Sequence, residues 1–264
     1  MKRRKVVNPT ATADRDEHCI YGVHAVAEWV HVNPARLREV HYDARAVHRV
    51  KEVIALAQAR GVSVGAKPQE VLTSIAGTTH HQGLVARVAP FPYVTIEQVM
   101  ARAPRLLVLA DQIQDPHNLG ALLRTAEAAG SGAVIIPRDG AVRVTATVEI
   151  SAAGAAALVP VCRVTNSART LAALRDVGYW SVGLVPSATV DLYRFDPPDR
   201  ITLVLGGESG MRPLVARHCD FVVSIPMFGR VESLNAAVAA AVALYELRRR
   251  WRERGRLDTN GPVV

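Results

Sequence analysis

Residues 106–137 read LLVLADQIQDPHNLGALLRTAEAAGSGAVIIP, and the order of apolar runs, polar loop and helical spacing within them decides the fold. Leu106 to Ala110 has the length and flanks of a buried strand. The polar stretch Asp111 to His117 follows, then Asn118, a residue type that caps helix N-termini by accepting backbone N–H bonds. From Leu119 the residues Leu122, Leu123, Ala126 and Ala129 recur at helical spacing, and Gly130 stands where a left-handed residue ends a helix. Ala133 to Ile136 is a second apolar run. The block is strand, loop, helix, strand, and in open α/β sheets ligands bind beyond the carboxyl ends of the strands. Arg124 stands out among the apolar positions, and Gly120 one turn earlier leaves open space above its guanidinium. Such an arginine suits a phosphate or a second chain; an ion pair with Glu127 is the alternative.

Toward the C-terminus, Val142 to Ala157 reads as a polar loop entering a small-residue helix. Strands are expected at Val159–Val164 and Tyr179–Val185, with a helix over Ser167–Val177 between them. Ile201 to Leu205 is a buried strand running into Gly206-Gly207-Glu208-Ser209-Gly210, where glycines permit close backbone approach to a ligand. Phe221 to Ile225 is the last strand, stopped by Pro226. Ser233 is an N-cap candidate for a helix from Leu234 to about Trp251, apolar all round between Ala236 and Leu244, as at a subunit interface. Neither a P-loop nor a G-x-G-x-x-G fingerprint is present, which removes the common ATP and NAD readings.

Toward the N-terminus, Ala89 to Pro104 is punctuated by prolines around a short helix, Ile96–Ala101, and suits a linker over residues 90–104. Residues 17–89 alternate strands (Cys19–Gly22, Leu37–Tyr42, Val62–Val64, Gly83–Val88) with helices (His24–Val30, Arg45–Arg60, Gln69–Ile75). His80 and His81 are open to two readings, contact with RNA or exposed loop histidines without a role. Residues 1–16 are basic and aperiodic, a mobile tail, and residues 258–264 form a second tail.

The net charge of +8 and pI near 9.9 point to an anionic partner, nucleic acid being the usual one. A generally basic composition with no such partner is the alternative. Cys19, Cys162 and Cys219 are scattered without a CxxC pair, which argues against a disulfide framework or a metal site. MKRRKVVNPT lacks the apolar segment of a signal peptide, and the Leu234–Leu247 helix is too short to span a bilayer. A soluble, cytoplasmic protein without membrane or metal is expected.

The spacing Asn118-x-Gly120-x-x-x-Arg124-x-Ala126-x-x-x-Gly130 resembles the first motif of the SpoU (TrmH) family of RNA ribose 2′-O-methyltransferases, of the SPOUT class. LVLGGESGMR at 203–212 and SIPMFGRVESLN at 224–235 are similar to its second and third motifs. The YGVHAV start and HHQGLVA end of the N-terminal part resemble the ribosomal-protein-L30e-like substrate-binding domain of one branch. The resemblance implies an α/β fold: a knotted, Rossmann-like open parallel sheet flanked by helices over residues 105–257, preceded by that small α/β domain. It implies a homodimer that transfers the methyl group of S-adenosylmethionine to RNA. The favoured target is a guanosine of 23S ribosomal RNA, because the tRNA branch generally lacks the extra domain. A tRNA 2′-O-methyltransferase and a non-catalytic RNA-binding or assembly protein are the alternatives.

By the same resemblance the cofactor lies among Gly206–Gly207, Ile225–Met227 and Ser233–Leu234, and the catalytic motif residues fall on Asn118, Arg124, Glu208, Ser233 and Asn235. A guanidinium gives up its proton with great difficulty, so Arg124 is expected to anchor phosphate and stabilise an oxyanion, with Glu208 orienting it or the loop. Two departures stand out. One residue rather than the usual two separates Glu208 from Gly210, and Ala157 stands where an acidic residue is usual.

Overall fold

The computed structural model describes residues 18–255 of the 264, so both tails expected above lie outside the described residues. The chain divides between Phe91 and Pro92 into two compact units.

The first unit contains β1 (His18–Tyr21), α1 (Val23–Val32), β2 (Leu37–Tyr42), α2 (Val47–Ala59), β3 (Ser63–Ala66), α3 (Gln69–Ala76) and β4 (Leu84–Val88). Its sheet has the order β1-β4-β2-β3, with β4 antiparallel to both neighbours and β2 parallel to β3. Ala25, Val26, Trp29 and Val30 of α1 and Val50, Val53 and Ala57 of α2 supply the buried faces at helical spacing. Arg36 is buried with its guanidinium 4.1 Å from the Trp29 ring centroid, and its Nε donates to the Ala89 carbonyl at 3.1 Å. His81 is not an exposed loop histidine. It is 2% exposed, its Nδ1 accepts from the Gly83 N–H at 3.1 Å, and its Nε2 meets Thr73 Oγ1 at 3.2 Å. Both ring nitrogens are therefore occupied, whereas His80 is exposed.

The second unit is built on β5 (Leu106–Asp111), in which every residue is buried. Around it run α4 (Ile96–Arg102), α5 (Pro116–Ala128), β6 (Ala133–Pro137), α6 (Ala146–Ser151), α7 (Ala155–Leu158), β7 (Val161–Val164), α8 (Ser167–Asp176), β8 (Trp180–Leu184), β9 (Ile201–Gly206), α9 (Pro213–His218), β10 (Phe221–Val223) and α10 (Ala236–Glu253). The six strands are parallel in the order β10-β8-β9-β5-β6-β7. Successive side chains of a strand face opposite sides. Leu107 and Leu109 pack with Val99, Leu171, Leu174 and Val215 from α4, α8 and α9, while α5 packs against α6, α7 and α10. Within residues 90–104, expected as a linker, Val94 pairs with Cys162 and Val99 is 2% exposed.

Three local expectations are corrected. Helix α5 begins at Pro116 and is capped by Asp115, whose carboxylate accepts from the His117 N–H at 2.8 Å, so Asn118 lies inside the first turn with its side chain free for other work. Gly120 leaves no open space. A Cβ there would lie 2.4 Å from the Ser151 Cβ and 2.8 Å from the Val148 carbonyl, so the glycine exists to let α6 press against α5. The last helix begins at Ala236 under an Asn235 cap that accepts from the Ala237 and Val238 N–H groups, and Ser233 lies before it. At the far end of α10, Arg248 donates to the carbonyls of Ala129 and Gly130 at 2.5 Å each and closes the C-terminus of α5.

Candidate functional site

The carboxyl ends of β8 and β9, the loop after β10 and the start of α10 enclose a pocket of about 700 Å³. Its walls are largely apolar, from Leu184, Val185, Pro186, Leu205, Met211 and Ile225, with the Gly206–Gly207 backbone at one edge. A pocket of this size and character holds one drug-sized organic molecule. Gly206, Gly207, Glu208, Ile225, Met227, Ser233, Leu234, Asn235 and Asn118 all line it; Arg124 does not.

Three of these side chains form a chain of hydrogen bonds. Asn118 Nδ2 donates to Glu208 Oε1 at 2.8 Å, and Asn235 Nδ2 donates to Asn118 Oδ1 at 2.9 Å. Asn235 Oδ1 meanwhile caps α10. The carboxylate can only accept, so it fixes which end of the Asn118 amide is nitrogen and thereby turns the Asn118 oxygen toward Asn235. One residue from each of the three motifs is thus tied to the others. Glu208 orients Asn118, not Arg124. Arg124 is exposed on α5, makes no ion pair with Glu127 or with any other of the described residues, and sits six positions after Asn118. That places it roughly 120° around the helix and about 9 Å along it from Asn118.

The glycines of the second motif are required by the packing of the chain itself. A Cβ on Gly206 would meet the Gly210 carbonyl carbon at 2.1 Å, and one on Gly207 would meet the Gln112 carbonyl oxygen at 2.1 Å. Gly210, at φ +82°, closes the turn with its N–H on the Gly207 carbonyl at 3.0 Å. This is how the loop with a single residue between Glu208 and Gly210 still brings Glu208 to Asn118.

Asp111 and Arg212, the last residue of the second motif, hold this loop. Asp111, fully buried at the end of β5, accepts from the Arg212 guanidinium, from the Arg212 backbone N–H at 3.1 Å and from Ser167 Oγ at 3.1 Å. Hydrogen bonding to Asp111 raises the Arg212 guanidinium further above its ordinary value. The only sequence signal was a charged residue ending an otherwise apolar strand. Behind the pocket, burial and then the nearby Asp220 push the Cys219 thiol up to about 12, which makes it inert as a nucleophile. Among the described residues no group of His, Cys, Asp and Glu is placed to hold a metal ion, and no helix is long and apolar enough to cross a membrane.

Comparison with known proteins agrees with this geometry. Residues 105–245 match the SpoU rRNA Methylase family, and residues 19–94 match the family described as RNA 2′-O ribose methyltransferase substrate binding. A relative from Vibrio cholerae serotype O1, the 23S rRNA (guanosine-2′-O-)-methyltransferase RlmB, is 43% identical over 86% of this chain and 94% of its own. Among solved structures, the SpoU methyltransferase AviRb from Streptomyces viridochromogenes in complex with AdoMet superposes with a TM-score of 0.77 at 26% identity, covering 93% of this chain and 95% of that one. The A. aeolicus TrmH/SpoU tRNA modifying enzyme superposes with a TM-score of 0.53 at 26% identity, over 61% of this chain and 84% of its own. By its motifs, its sheet order and these matches, the chain belongs to the SpoU rRNA methylase family.

Proposed function

We propose that this protein is an S-adenosylmethionine-dependent methyltransferase acting on the ribose 2′-hydroxyl of a guanosine in 23S ribosomal RNA, as a homodimer in the cytoplasm. The observation that carries the reading is the hydrogen-bonded Glu208–Asn118–Asn235 chain at the mouth of a pocket sized for the cofactor. The apolar walls suit an adenine and the carboxylate of Glu232 at the pocket suits a cationic sulfonium. S-adenosylmethionine supplies the electrophilic methyl group when bound. The chain's own part is to hold the ribose in line and to favour loss of its proton. Asn118 and Asn235 each keep an amide N–H beyond those used between them, and these orient the ribose. Arg124 anchors phosphate and stabilises the developing oxyanion. Ser233 and Leu234 hold the loop over the cofactor with Gly206, Gly207, Ile225 and Met227.

Self-association is supported by an exposed apolar set beside the pocket: Phe228 is 95%, Val231 66% and Val238 50% exposed. A patch of that kind is covered most simply by a second copy. The tRNA reading is disfavoured because the A. aeolicus enzyme matches only 61% of this chain, whereas the V. cholerae relative matches 86%. The non-catalytic reading rested on the shortened loop, and Glu208 reaches Asn118 at 2.8 Å despite it.

The direct test is transfer of labelled methyl from S-adenosylmethionine to unmodified 23S rRNA, mapped to a guanosine; transfer to tRNA alone would overturn the substrate assignment. Glu208 offers a finer one. Glu208→Gln can still present an oxygen to Asn118, so turnover should fall only a few-fold. Glu208→Ala frees the amide to rotate and should cost about tenfold or more, one neutral-to-charged hydrogen bond being worth about 1.5–3 kcal/mol. Cofactor affinity measured by calorimetry should stay within a few-fold in both. Equal turnover losses in the two variants would contradict the orienting role.

A further inference from the structure

A second cleft, of about 860 Å³, lies along the outer edge of β7, between the first turns of α4 and α8. No motif reaches it. Arg138, Arg163 and Arg169 line it, with Glu97 the single carboxylate among the lining residues. Glu97 is committed to its own helix. Hydrogen bonds from its own backbone N–H and from Thr95 hold its carboxyl below the usual range. Arg163 is fixed: its guanidinium stands 5.3 Å from the Tyr93 ring centroid and donates to the Arg138 carbonyl at 3.1 Å. Arg138 and Arg169 are exposed, and neither side chain has a hydrogen bond or ion pair among the described residues.

Three guanidiniums along an open cleft, against the one carboxylate of Glu97, match a line of negative charges rather than a single ion. The place is also informative. Arg138 follows the carboxyl end of β6, and Thr165 and Asn166 follow that of β7, the same edge of the sheet from which Gly206 and Asn118 serve the pocket. From the end of β9 to that of β7 is three strand spacings, about 14 Å. We infer that this cleft grips the phosphate backbone of the RNA strand a few nucleotides away from the target ribose, with Arg138 and Arg169 as its phosphate contacts. The inference rests on the function proposed above and adds a surface to it.

The test is the double variant Arg138→Gln/Arg169→Gln in the full chain, with Arg163 kept for its packing. Binding to a fluorescein-labelled single-stranded RNA of mixed sequence is measured by anisotropy across a salt series. Arg217→Gln/Arg252→Gln, which removes the same charge from exposed positions elsewhere, is the control. The cleft variant should bind at least tenfold more weakly at low salt. The slope of log affinity against log salt should be shallower by about 1.4, since each lost single-strand phosphate contact releases about 0.7 fewer counterions. Melting and S-adenosylmethionine affinity should be unchanged. Affinity and slope equal to wild type, or an equal loss in the control pair, would overturn the inference. So would competition by inorganic phosphate at matched ionic strength, which would assign the cleft to a free anion. Methylation of 23S rRNA by the wild type is followed separately. Its failure would remove the proposed function while the binding series still decides the cleft.

Discussion

A one-to-one mixture of inactive Arg124→Ala and Asn235→Ala chains, refolded together, should regain up to about a quarter of wild-type methylation. Random pairing makes about half the dimers mixed, and each mixed dimer has one intact site of two if the residues meet across the interface. The motivation is geometric. Asn235 is bonded to Asn118 at 2.9 Å within one chain and lines the pocket, while Arg124 lies outside the pocket lining and about 120° round the same helix from Asn118. An arginine so placed has nothing of its own chain to act upon. Singly, Arg124→Ala should lower turnover by about 10²–10³-fold, the scale of losing one preorganised oxyanion contact, with cofactor affinity nearly intact. A mixture as inactive as its parents, with heterodimers demonstrated, would place both residues in one chain or make the site unshared.

Asp111→Ala should destabilise the second unit by about 3 kcal/mol, because it leaves the Ser167 hydroxyl without its acceptor and the Arg212 guanidinium with Ser167 Oγ alone. The lower part of the usual range applies, since the Arg212 side chain is 37% exposed and water can take over some of its bonds. Cofactor affinity should fall about tenfold or more, because Arg212 is the far anchor of the turn that carries Gly206 and Glu208. The double variant Asp111→Leu/Arg212→Met separates the two effects. Much of the stability should return, as it does when a buried ion pair is replaced by apolar groups of similar volume, without return of affinity. Chemical denaturation and calorimetry read the two quantities. Full affinity in Asp111→Ala would show that the turn holds itself.

What was legible in the sequence follows the range of the interactions involved. The strand at Leu106, the glycine stop at Gly130 and the inward face of α2 are set by neighbours a few residues away, so periodicity found them. The cap residues misled. Asn118 and Ser233 are both capping types, yet Asp115 and Asn235 do the capping, and Asn118 is used across the fold. Gly120 was misread because its partner, Ser151, lies on another helix and the spacing within α5 cannot show it. Helix α9 went unread because six residues starting at Pro213 carry too few turns for a periodic signal. The site residues were found through resemblance to a family's motifs. Asp111 lay outside those motifs, and its partners Ser167 and Arg212 are distant in sequence.

The closure of α5 by Arg248 has a bearing on how the protein is made. Helix α5 belongs to the first motif, yet the two carbonyls just past its last turn wait for an arginine near the end of the described chain. Strand β5 likewise waits for β9, its partner on one side, across the whole of β6, β7 and β8. A nascent chain emerges from its N-terminus, and contacts of such long range form only when the distal part has arrived. The first unit, whose strands pair within residues 18–88, can therefore fold while the rest is still being synthesised. The smaller unit, which matches the substrate-binding family, is then complete before the unit that matches the methylase family.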